Sequence, residues 1–87
     1  MGTVKQKTIF REDYKQLISM LIQARKDEGL NQIDLATKLG WRQSDVSKIE
    51  QRIRRLDILE FIDICQALGL DYTALVEKAL LHQQSSG

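Results

Sequence analysis

Few side chains in this sequence could do covalent chemistry. Cys65 and His82 are the only cysteine and the only histidine. Together they fall short of the four ligands that a structural zinc needs, and one cysteine leaves no internal disulfide. Serine, histidine and aspartate all occur, but no spacing sets them up as a triad. There is no Gly-Lys-Ser/Thr phosphate loop and no paired metal-ligand motif. The sequence therefore supports no enzyme, cofactor or metal. Cys65 alternates with core positions of its helix and reads as a small buried hydrophobe, with a redox sensor as the alternative. His82 lies near a chain end and reads as inert.

What remains is non-covalent chemistry concentrated in the middle of the chain. The net charge of +1 hides an uneven division. Residues 1–37 carry six basic and five acidic side chains, or +1. Residues 38–55 carry six basic (Lys38, Arg42, Lys48, Arg52, Arg54, Arg55) and two acidic (Asp45, Glu50), or +4. Residues 56–87 carry one basic and five acidic, or −4. A local basic stripe is the footprint expected for a polyanion partner, and a solvated surface turn is the plainer alternative. Arg52, Arg54 and Arg55, three arginines in four positions, suit phosphate gripping.

The elements that must position this segment are helices. At 87 residues the chain is one domain, able to bury roughly 60–65% of its unfolded surface. It has no proline, and its apolar runs of two or three residues are far short of a membrane span of about 20. The opening MGTVKQKTIFRED has no apolar signal core, which predicts a cytoplasmic protein. Tyr14, Leu17, Leu21 and Ala24 predict a first helix over 11–28, stopped by Gly29. Asn31, with Asp34 three residues on, caps a second helix that buries Leu35, Ala36 and Leu39 and ends at Gly40. A third runs over 43–51 with Val46 and Ile49 inward. Asp57, with Glu60, caps a fourth whose inner face is Ile58, Phe61, Ile64, Cys65 and Leu68, closed by Gly69. Asp71 caps a fifth over 72–82, anchored by Leu75. The predicted organisation is a flexible arm at 1–10, a helical domain at 11–82 and a disordered tail at 83–87.

Helices two and three are joined by a tight turn at Leu39-Gly40-Trp41. Ala36 is small where the two helices would cross, and Gly40 sits where positive φ is expected. This fixes two helices at a steep angle and leaves the outer face of the second free to enter a major groove. Alanine, glycine four residues on, an aliphatic six further and another three beyond resembles the helix-turn-helix of the phage-repressor and Cro class, the xenobiotic response element (XRE) family. Ala24-Arg25 with Gly29-Leu30-Asn31-Gln32, Ser47-Lys48-Ile49-Glu50 and Ala67-Leu68-Gly69-Leu70-Asp71 resemble further parts of that family. The likeness covers about residues 14–76.

The resemblance implies an all-α, five-helix, lambda-repressor-like domain that binds double-stranded DNA. It implies that Gln43 and Ser44, opening the recognition helix, reach base edges, with Lys48 one turn on. Gln43 can contact adenine N6 and N7, and Lys48 can donate to guanine O6 or N7. Gln32 resembles the glutamine that bonds a phosphate and braces the first base reader. Arg42, Ser47, Arg52, Arg54 and Arg55 are the other candidate phosphate contacts. Arg25 and Glu50 match positions that form a structural ion pair. The chain departs from the family where Arg52 replaces a common glycine, where Arg42 leaves the recognition helix without a side-chain cap, and where Trp41, read as a core plug, replaces a smaller aliphatic.

The leading functional expectation is a sequence-specific transcriptional regulator, a repressor or autoregulator, reading a palindromic operator as a homodimer. The chain shows no second domain for sensing a small molecule. Leu59, Ile62, Val76, Ala79 and Leu80 remain apolar without an obvious internal partner and form the candidate dimer interface, unless they fold back on the first helix. The alternative is the antitoxin of a toxin–antitoxin pair with the same DNA-binding core and a toxin protein as partner, though the tails are short for a toxin-binding segment. A protein-interaction module using this fold would instead present a neutral or acidic recognition face.

Overall fold

A computed structural model describes residues 10–86, with side chains described through Leu81. It contains five helices and, among the described residues, no strand: α1 Glu12–Asp27, α2 Gln32–Leu39, α3 Gln43–Glu50, α4 Ile58–Leu68 and α5 Tyr72–Ser86. The all-α lambda-repressor-like architecture follows from local chemistry. The Asn31 side chain accepts the Asp34 N–H while the Asp34 carboxylate accepts the Asn31 N–H, closing a reciprocal cap on α2. Asp57 and Glu60 repeat the device on α4. Asp71 accepts N–H groups of Thr73 and Ala74 at the start of α5. The connections are therefore short and fixed at their helix starts.

One core joins all of the first four helices. Ile18 and Leu21 from α1 meet Leu35 and Ala36 from α2, Val46 and Ile49 from α3, and Phe61, Ile64, Cys65 and Leu68 from α4. Tyr14, Leu17, Leu39, Trp41 and Leu75 pack half-buried around it. The Leu56 N–H donates to the Tyr14 hydroxyl oxygen at 3.1 Å, tying α1 to the α3–α4 connection.

Three expectations are corrected. Ile58, assigned to the inner face of α4, is 67% exposed. It is the first helical residue, and helical side chains lean toward the N-terminus, so it overhangs the core that begins at Phe61. Ala79, expected to be uncovered, is 4% exposed because α5 lies along α1. Ile62 is half-buried, whereas Leu59, Val76 and Leu80 stay exposed. The fifth helix continues past 82 to Ser86, through residues expected to be a disordered tail. Nothing in His82-Gln83-Gln84-Ser85-Ser86 breaks a helix, and the next glycine is Gly87. Residues 1–9 of the arm expected at 1–10 lie outside the described residues.

Cys65 is fully buried, and burial, followed by the charge of Asp71, pushes its thiol up to about 11. A thiol in that state is a poor nucleophile. Alkylation at pH 8 should therefore be slow in native protein and rise with urea along the unfolding curve. Rapid labelling without denaturant would contradict this packing.

Candidate nucleic-acid interface

α3 has only eight residues, too few to hold its shape alone, so its ends must be fixed by neighbours. At the entry, Gly40 adopts φ 73°, the left-handed region that a residue with a Cβ enters at a cost. The Trp41 N–H then reaches the Ala36 carbonyl at 2.9 Å and the Gly40 N–H reaches Thr37 at 3.2 Å, a Schellman closure of α2. Arg42 supplies no acceptor, so α3 is capped in reverse. The Asp45 carboxylate accepts the Arg42 backbone N–H at 3.2 Å and faces its guanidinium at 3.5 Å. These bonds, the backbone one foremost, hold the Asp45 carboxyl below its ordinary value.

The exit of α3 repeats the Schellman pattern, with Arg52 donating to Ile49 and Ile53 to Lys48. Gly29, Gly40 and Gly69 occupy the left-handed position of this motif on α1, α2 and α4, and here Arg52 occupies it at φ 59°. The chain has kept the turn and accepted the strain.

Behind α3 lies a buried ion pair. Arg25 Nε and Nη2 donate to the two oxygens of Glu50 at 2.8 and 3.0 Å, with side chains 9% and 11% exposed. Arg25 Nη1 also donates to the Leu30 carbonyl at 2.8 Å. Removing one member of such a pair costs about 3–5 kcal/mol when both are buried. Gln32 Nε2 donates to Glu50 Oε1 at 2.8 Å, and Gln43 Nε2 donates to Gln32 Oε1 at 2.8 Å. The residue opening α3 is thus pinned through Gln32 to the Arg25–Glu50 pair.

The remaining candidates divide. Gln43, Ser44 and Lys48 are exposed on α3, Ser44 and Lys48 one turn apart. Ser47 is half-buried and accepts from Gln51 Nε2 at 2.7 Å. Arg42 is exposed beside Asp45, and Arg55 is exposed. Arg54 donates to both oxygens of Glu60, so part of its charge is committed within the protein. Sequence reasoning missed three contacts: Asp45 on Arg42, Arg54 on Glu60, and Gln32 on Glu50. Only the first has a spacing, three residues, that could have flagged it.

Comparisons place this geometry among known proteins. The helix-turn-helix family model HTH_3 matches residues 21–75. A solved structure described as an "XRE-family like protein from Pseudomonas syringae pv. tomato str. DC3000" is 42% identical, covers 90% of this chain and 95% of its own, and superposes with a TM-score of 0.79. No curated protein matches.

The strained exit gives a test that cancels the loss of the guanidinium. Arg52→Gly and Arg52→Ala both remove it, but only alanine keeps the left-handed penalty of about 1–2 kcal/mol. Urea unfolding should find the glycine variant more stable by about 1 kcal/mol, reversing the usual advantage of alanine over glycine.

Proposed function

Because the chain belongs to the XRE-type helix-turn-helix family of DNA-binding transcription regulators, we propose that it represses or autoregulates transcription as a homodimer with α3 in the major groove. The observation that carries this reading is the exposed row at the start of α3, where Gln43 is held in place from behind and Ser44 and Lys48 stand beside it. Glutamine offers adenine a donor and an acceptor together, and lysine donates to guanine. Gln32 has a second amide hydrogen that a phosphate can accept while the first bonds Glu50. Arg42, Ser47, Arg52 and Arg55 flank the row as backbone contacts, and Arg54 divides its charge between Glu60 and phosphate.

Selection from a random DNA pool tests base reading. Gln43→Ala, Ser44→Ala and Lys48→Ala should each relax preference at a defined position, by about 1–3 kcal/mol for a good bidentate contact. Arg55→Ala should weaken binding to all sequences and lower the salt slope by about one, with a smaller change for Arg54→Ala. Arginine variants that changed preference while Gln43→Ala did not would invert the assignment.

An α3 of eight residues reads only about four base pairs, too few for a unique site, whereas a two-fold dimer reads two half-sites about 34 Å apart. Leu59, Val76 and Leu80 are exposed apolar side chains on the acidic segment 56–87, outside the basic segment 38–55. Val76 and Leu80 line an open groove against Tyr14 and Leu17, with Ala79 among its lining residues. Two copies meeting through Leu59, Val76 and Leu80 would cover this surface twice over. Sedimentation should show a dimer that Leu80→Glu or Leu59→Glu weakens. A wild type that stays monomeric at micromolar concentration and binds palindromic DNA without cooperativity would exclude the dimer.

A further inference from the structure

The hydrogen bonds behind α3 have a direction that chemistry alone fixes. Both Glu50 oxygens face the Arg25 guanidinium, and a carboxylate so paired only accepts. Gln32 must therefore turn its amide nitrogen to Glu50, which points its carbonyl oxygen at Gln43. Gln43 must in turn donate. It is left with its own carbonyl oxygen and one N–H, an acceptor and a donor side by side.

We propose that Glu50, held by Arg25, is a positioning residue that sets the polarity of the Gln32–Gln43 amide chain and thereby selects the base that Gln43 reads. This rests on the proposed role of Gln43 as a base reader. With the amide as found, Gln43 complements the N6 donor and N7 acceptor of adenine. With the chain reversed, its carbonyl is occupied by Gln32 and it offers N–H donors, the complement of guanine O6 and N7. Specificity is then decided one hydrogen bond behind the helix and one more behind that, at a side chain 11% exposed.

Exchanging the pair, Arg25→Glu with Glu50→Arg, reverses the chain while keeping opposite charges in contact. A guanidinium at position 50 only donates, so it faces the carbonyl oxygen of Gln32. Gln32 then accepts, and its own nitrogen turns to Gln43. Adding Gln32→Glu restores the original direction, because a carboxylate at position 32 accepts from both sides.

Two measurements test the relay. Through-hydrogen-bond NMR couplings without DNA should link Gln43 Nε2 to Gln32 Cδ in the wild type and Gln32 Nε2 to Gln43 Cδ in the exchanged variant Arg25→Glu/Glu50→Arg. Absence of the wild-type coupling overturns the relay whether or not the chain binds DNA. Random-pool selection should then show adenine at the position that Gln43→Ala erases. The adenine-to-guanine ratio there should fall about fivefold or more in the exchanged variant and return when Gln32→Glu is added. A ratio unchanged in the exchanged variant, or not restored by Gln32→Glu, overturns the proposal. If the exchanged variant fails to fold, Gln32→Leu carries the test. It unpins Gln43 and leaves both Arg25 and Glu50 in place, so the ratio must fall toward one, and a ratio that holds overturns the relay. A wild-type pool without any consensus, beside intact couplings, refutes the base-reading role of Gln43 and leaves the amide polarity standing.

Discussion

The contact between Arg25 and Glu50 is the constraint on which the placement of α3 depends. The two residues are 25 apart in sequence and join the last turn of α1 to the last residue of α3. Burying both charges carries a desolvation cost that an apolar pair of the same volume would avoid. Here the cost is offset by two charge-assisted bonds, by the Leu30 carbonyl and by Gln32. An apolar pair could fill the space and stabilise the fold as well. It could not accept a hydrogen bond from Gln32, and the glutamine chain to α3 would have no anchor. The pair supplies direction as well as cohesion.

α3 is short enough that its position is set by its two ends. The entry is defined by backbone closure at Trp41 and by the reversed cap at Asp45, and the exit by Glu50 and the left-handed Arg52. Its underside contributes only Val46 and Ile49 to the core. Two apolar side chains leave two helical turns little resistance to rotation, and the hydrogen bonds that join Glu50 and Gln43 to Arg25 and Gln32 add to it. The strain accepted at Arg52 belongs to the same economy of form, since the turn there carries the chain from α3 to Leu56 and its bond with Tyr14.

Much of this was legible because it is local. The caps at Asn31 and Asp57 are spacings of three residues, and the glycine stops are single letters with one favoured backbone region. The ion pair was legible through family resemblance, as was the brace between Gln32 and Gln43. What escaped depends on where one helix ends over another. Ile58 has the periodicity of its inward neighbours but lies before the core begins. Ala79 looked uncovered because nothing in its own helix says that α1 lies against it. At Arg52 the sequence leaves open whether the loop turns differently or the arginine tolerates the strain. The choice is made by the hydrogen bonds from Arg52 and Ile53 to the end of α3, which require the left-handed turn whatever residue occupies it.

The charge pattern reads differently once its partners are known. The segment 38–55 carries +4 as a count. Arg42 faces Asp45 within the segment, and Arg54 spends bonds on Glu60 from the acidic segment that follows. Lys48 and Arg55 keep exposed cationic ends. A guanidinium already paired with a carboxylate gains less from a phosphate than one in water, because part of its field is neutralised. The basic stripe is therefore weaker as a general polyanion surface than its composition suggests. On the proposed reading of α3, discrimination falls more heavily on its directional hydrogen bonds, and a surface that relies on direction needs its amides held in one orientation.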